Sequence, residues 1–209
     1  MGEGAARLAQ ARLEGQVRSA DALAPVAWRS TGTVFDELLG QGLPRGRVIE
    51  IVGLRSSGRT AWAVHLAAAL TRAGSICAWV DPEDRFDPAS AEAAGVVLSR
   101  IVWVRGKVSL RSALVAIETL ARVRGIAAVF GDLEAPARRK PPPSASWARL
   151  ARAAEGSDAT IVLVGETRMA GTFAAAAVEL RRQGARWRST PPRARCSSPG
   201  WRRPAPLCP

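Results

Sequence analysis

Between a short apolar run, Arg47 to Val52, and a helical run that opens near Thr60 lies the segment Gly53-Leu-Arg-Ser-Ser-Gly58-Arg59-Thr60. A glycine-containing turn that joins a strand to a helix aims several backbone N–H groups at one point. The partial positive charge of the helix N-terminus acts in the same direction. The spacing matches G-x-x-x-x-G-K-[ST], the phosphate-binding loop, everywhere except that Arg59 occupies the lysine position. Lysine is a compact charge that fits between β- and γ-phosphates, whereas arginine is longer, planar and bidentate, so the exchange is not neutral. Two outcomes stay open for Arg59: it pairs with phosphate, or it turns to solvent and leaves the loop as a structural turn. Gly53, Ser56, Ser57, Gly58, Arg59 and Thr60 are the candidate cofactor-binding residues, and the Thr60 hydroxyl is the candidate magnesium ligand.

A loop of this kind needs alternating strands and helices around it, and the chain supplies them. Strands are predicted over 47–52, 76–80, 101–104, 126–130 and 160–164, with a sixth candidate over 174–181. Helices are predicted over 31–40, 60–73, 89–95, 110–123 and 146–154. Several strands are almost continuously apolar, as a sheet covered on both faces requires. The expected fold class is therefore α/β, three-layered, with a mainly parallel sheet.

With 209 residues the chain suits one domain. Residues 1–29 are read as an N-terminal helix and connector, because Ala5, Leu8, Ala9, Leu13 and Val17 recur at helical spacing. Residues 30–182 form the core, and residues 183–209 an Arg- and Pro-rich tail without apolar periodicity, expected to be disordered. The change of texture after Arg182 is also what an out-of-frame reading of GC-rich DNA would look like. Arg138-Arg139-Lys140 followed by Pro141-Pro-Pro143 must be a loop, since consecutive prolines continue neither a helix nor a central strand.

Apolar stretches are too short to cross a bilayer, and the first residues lack the apolar region of a secretory signal, so a cytoplasmic location is expected. Cys77, Cys196 and Cys208 show neither metal-ligand spacing nor a disulfide framework. A net charge of +12 points toward nucleic acid, yet the five arginines between Arg188 and Pro209 supply +5 of it. Heavy Arg, Ala, Pro and Gly usage is equally what a GC-rich coding sequence produces.

Ser30-Thr31-Gly32, Asp36, Leu39-Gly40, Gly42-Leu-Pro-Arg-Gly-Arg47 and Glu50-Ile-Val-Gly53, together with the loop, resemble the opening of the bacterial RecA recombinase core in order and spacing. Val80-Asp-Pro-Glu83-Asp84, Asp87-Pro88 and Gly95-Val96 are similar to the RecA segment whose glutamate positions the attacking water. The resemblance extends weakly to Ile126–Asp132, similar to the strand ending in the magnesium-associated aspartate, and to Thr160–Met169, similar to the strand that ends at the nucleotide-sensing residue. It implies a RecA-like core, C-terminally truncated after Arg182, with ATP and magnesium as cofactors. Glu83 is then the catalytic candidate, and Asp132 a second nucleotide-site and magnesium candidate, offset in register by Gly131. The competing reading is that Asp81, Glu83 and Asp84 only cap the following turn. Arg138, Arg139 and Lys140 fall where RecA has its first DNA-facing loop and are the nucleic-acid candidates, or simply a solvated loop.

The departures matter as much. Ser90 stands where RecA has its adenine-stacking tyrosine, Gly165-Glu166 where it has its sensing pair, and Ala170-Gly-Thr-Phe173 replaces a long DNA-binding loop. With these losses the chain resembles the ImuA type of degenerate RecA paralogue, also described as SulA-like. That resemblance implies an accessory factor in DNA-damage-induced mutagenesis, working by contact with RecA and polymerase-like proteins, while the dispersed basic residues and the short loop predict that nucleic-acid binding is weak and electrostatic. A DNA-dependent ATPase of the RecA type is the alternative, and a truncated or frame-shifted remnant the third.

Overall fold

The computed structural model describes residues 27–133 and 142–182. The N-terminal helix expected over 4–17, the basic loop residues and the tail lie outside them.

The first described elements are β1 (Trp28–Arg29), α1 (Val34–Leu38) and β2 (Leu43–Pro44). β1 and β2 form a two-residue antiparallel ladder. Sequence reading missed this ladder, because two residues carry no periodicity. It is tied to the main sheet by Arg29, whose Nη1 donates to the carbonyl of Ala127 at 2.7 Å. α1 is shorter than the helix expected over 31–40 because Asp36 draws Thr31 and Gly32 into a turn before it, accepting both backbone N–H groups at 2.9 Å.

The main sheet has six strands: β3 (Val48–Val52), β4 (Ile76–Asp81), β5 (Ile101–Arg105), β6 (Ile126–Asp132), β7 (Thr160–Gly165) and β8 (Ala176–Glu179). Their order is β5-β4-β6-β7-β3-β8, and every pairing is parallel. The connections are α2 (Arg59–Arg72), α3 (Pro88–Ala93), α4 (Leu110–Ala121) and α5 (Ser144–Glu155). The predicted α/β class with its three layers is the observed one. Boundaries differ by a residue or two where caps decide. Gly58 in the left-handed conformation at φ 92° lets α2 begin at Arg59, and α5 begins directly after Pro143.

Alternation along the strands explains the three layers. Ile49, Ile51, Trp79, Phe130, Val162 and Val164 pack with Ala63, Leu66 and Leu70 of α2. The residues between them, including Val48, Ala78, Val129, Ile161 and Leu163, pack with Leu114 and Ile117 of α4 and with Trp147 and Leu150 of α5. Trp79 stacks on Phe130 with ring centroids 5.1 Å apart and anchors the first face. Among the described residues, no helix is long and apolar enough to cross a membrane.

The strand order positions the site. From β3 the chain passes over β7 and β6 to reach β4, while β8 lies on the other side of β3. Such a reversal opens a crevice at the carboxyl ends of the strands. Gly53, Asp81, Asp132 and Gly165 all stand at that edge.

Candidate nucleotide site

The loop after β3 is a tight turn that leads directly into the N-terminus of α2. Ser57 N donates to Leu54 O at 3.0 Å, which closes the turn, and Ser56 takes a positive φ of 63°. The N-terminus of α2 carries no side-chain cap, so its first N–H groups face the crevice end. Glycine is required at position 53: a Cβ there would lie 2.4 Å from Ser57 Oγ and 2.6 Å from Leu180 O.

Arg59 does not turn to solvent, the second of the two directions left open by its sequence position. It is only 6% exposed, and its Nη1 donates to Gly53 O at 2.6 Å, folding the guanidinium back across its own loop. Glu166 lies 3.7 Å from the same nitrogen and 3.8 Å from Arg55 Nε. The residue aligned with the sensing position thus brings a negative charge to the loop.

Glu50 holds the segment after β7 in place. It is fully buried, although it sits in an otherwise aliphatic strand, and its Oε1 accepts from Met169 N at 2.6 Å and Ala170 N at 2.9 Å. Arg168 Nε lies 3.5 Å from Oε2. The one acidic residue inside a Val/Ile run was the available signal for this role.

The segment after β4 is organised by Asp81, which is buried and accepts from Arg85 N at 2.9 Å and Phe86 N at 2.8 Å. Asp81 therefore caps the turn that follows β4. Asp84 lies at φ 55° and accepts from Arg105 Nη2 at 2.9 Å. Glu83 is exposed. Asp87 caps α3 through Ser90 N at 3.2 Å, and Ser90 itself is exposed.

Arg85, unremarked in the sequence, is carried by that turn to β6, where its Nη2 lies 3.5 Å from Asp132 Oδ1. Asp132 is 2% exposed. Beside the loop is a cavity of about 360 Å³ lined by Arg55, Ser56, Gly58, Arg59, Thr60, Ala61 and Arg85. The structure thus brings Ser56, Gly58, Arg59 and Thr60 to one cavity, with Asp132 behind Arg85 and Glu83 outside its lining.

This wall suits the oxygens of a phosphate chain, through backbone N–H groups and guanidinium donors. Of the two magnesium candidates, Thr60 lines the cavity, whereas Asp132 lies outside its lining and its carboxylate is paired with Arg85. His65, the single histidine, is exposed on α2. Arg138, Arg139 and Lys140 lie outside the described residues.

The RecA N-terminal domain family matches residues 16–136. Protein RecA of Rubrobacter xylanophilus is 42% identical over 109 residues, which cover 51% of this chain and 31% of that protein. Protein RecA of Synechocystis sp. is 38% identical over 104 residues, 49% of this chain and 29% of that protein. Protein RecA of Nostoc sp. is 41% identical over 104 residues, with the same two shares of 49% and 29%. The chain spans less than a third of the length of these curated relatives.

Proposed function

This chain belongs to the RecA N-terminal domain family, and we propose that it is a weakly ATP-binding or non-catalytic member of the ImuA type. In that role it is a cytoplasmic accessory factor in DNA-damage-induced mutagenesis and repair, acting by contact with RecA and polymerase-like proteins. The observation that carries the reading is the engagement of Arg59 with Gly53 O and its closeness to Glu166. A phosphate that recruits Arg59 must first break a charge-assisted hydrogen bond and then approach a carboxylate. Both effects weaken the nucleotide that a recombinase needs for filament assembly. Ser90 adds no aromatic surface for adenine, and Asp81 is engaged by two backbone N–H groups.

The test is steady-state ATP hydrolysis by the full chain with and without single-stranded DNA. Turnover at or near background in both is expected. Turnover close to that of an active recombinase, abolished by Glu83→Gln, would overturn the reading. It would instead establish the alternative, a DNA-dependent ATPase of the RecA type, which the intact backbone of the loop and the RecA relatives favour.

A further inference from the structure

We infer that the cavity beside the loop takes a phosphate chain without a divalent cation, with Arg85 supplying the positive charge that magnesium would bring. The inference rests on the reading of residues 53–60 as a phosphate loop and concerns how that same site is charged. It begins in the turn after β4. Asp81 is buried and ties down the N–H groups of both Arg85 and Phe86. Phe86 in turn is pinned against Trp79 and Trp103, with ring centroids 4.8 and 5.4 Å away. The backbone of Arg85 is thereby fixed, and its side chain spans from β4 to the end of β6.

At that end Asp132 is the carboxylate best placed to serve a cation, yet its side chain is 3% exposed whereas that of Arg85 is 30% exposed. Arg85 lines the cavity and Asp132 does not. A magnesium ion entering from the crevice meets the guanidinium first. To reach Asp132 it must expel Arg85 from its ion pair and shed water that it gives up reluctantly. A phosphate oxygen entering the same way meets a planar donor already oriented by Asp132.

The charges agree with this order of events. Arg55, Arg59 and Arg85 converge on one cavity, with Glu166 sharing the charge of the first two and Asp132 that of the third. A di- or triphosphate brings several negative charges to a wall that is already cationic. Among the described residues, the lining holds no carboxylate for a dication, only the hydroxyls of Ser56 and Thr60, since Glu166 and Asp132 lie outside it beside the guanidinium groups. With Ser90 exposed and no aromatic platform at that position, the phosphate chain and not the base carries recognition.

The experiment is calorimetric titration of the full chain with ATP and, separately, with inorganic triphosphate, each in excess EDTA and in excess magnesium chloride. Both ligands are expected to bind in EDTA, with Kd changed by less than about three-fold on adding magnesium. Arg85→Ala should weaken binding in EDTA by about ten-fold or more, the scale of one lost charge-assisted contact. Because Arg85→Ala leaves Asp132 buried without that partner, the double variant Arg85→Ala/Asp132→Asn is measured beside it, and circular dichroism confirms folding of both. Binding that appears only with magnesium, or a double variant that binds in EDTA as tightly as the unmodified chain, would overturn the inference. Binding of ATP but not of triphosphate would overturn its ligand class. Absence of any binding would also overturn it, while leaving the accessory reading intact. Magnesium-dependent turnover would overturn both the inference and the accessory reading.

Discussion

The guanidinium of Arg59 hydrogen-bonds across its own loop to the carbonyl of Gly53, six positions earlier, at 2.6 Å. The residue at the lysine position of the phosphate-loop pattern thus holds together the two ends of its own turn. Glu166, 3.7 Å from the same nitrogen, completes the arrangement.

Changing that pair should therefore strengthen nucleotide binding. Lysine at position 59 restores the compact charge of the phosphate-loop pattern, and Glu166→Gln removes the carboxylate facing it. The double variant Arg59→Lys/Glu166→Gln is expected to bind ATP about ten-fold more tightly than the unmodified chain, a gain of roughly 1.4 kcal/mol. Calorimetric titration measures it, and an unchanged or weaker affinity would show that Arg59 is not what limits the site.

The sheet core should be intolerant of cavities at Phe130. This ring is fully buried, stacked on Trp79, and sits in the strand that leads to Asp132. Phe130→Ala is expected to cost about 3–5 kcal/mol, through lost transfer energy and the void left in a packed interior. Urea denaturation provides the number; a loss below about 1 kcal/mol would mean that the site collapses around the missing ring.

Stability at acid pH should depend on Glu118. Arg149 donates to its Oε2 from Nε at 2.9 Å and Arg122 donates to Oε1 at 3.1 Å, joining α4 to α5. The hydrogen bonds from Arg149, opposed by burial and reinforced by Arg122, hold this carboxyl below the usual carboxylate range. A depressed folded value contributes stability that is present above the ordinary carboxylate pKa and is lost as pH falls through the folded value. Both arginines face solvent, so the contribution is small, under about 1 kcal/mol. Thermal unfolding of Glu118→Gln should show a shallower loss of Tm below the ordinary carboxylate pKa than the unmodified chain shows. Parallel acid limbs would refute the assignment.

Cys77 should be chemically silent in the folded protein. It is buried in β4, and burial pushes its thiol up to about 12, so the thiolate that reacts with alkylating agents is scarce at neutral pH. Peptide mapping after maleimide treatment should find Cys77 unmodified in buffer and fully modified in denaturant. Rapid labelling in buffer would show that β4 opens without global unfolding.

DNA binding through Arg138, Arg139 and Lys140 is expected to be electrostatic and salt-sensitive. Each phosphate contact on a single strand contributes about −0.7 to the slope of log K against log salt, so replacing all three by Ala should flatten the slope by about 2. An unchanged slope would place the contacts elsewhere on the chain.

Residues 53–60, the apolar strands and the helices between them announced the fold class and pointed to a candidate site at the loop, because backbone geometry and amphipathic period are encoded within a few consecutive positions. The fate of Arg59 was not written there, since it depends on Glu166, which β7 delivers to the loop by pairing Gly165 with Val52. Arg85 and Asp132 are 47 positions apart and meet only because β6 lies beside β4 in the sheet. Glu50 finds the N–H groups of Met169 and Ala170 for the same reason, through β7 at its side. Local pattern specifies which segments become strands. The order in which strands pair is a property of the packed whole, and it was this order that chose the partner of each charge at the site.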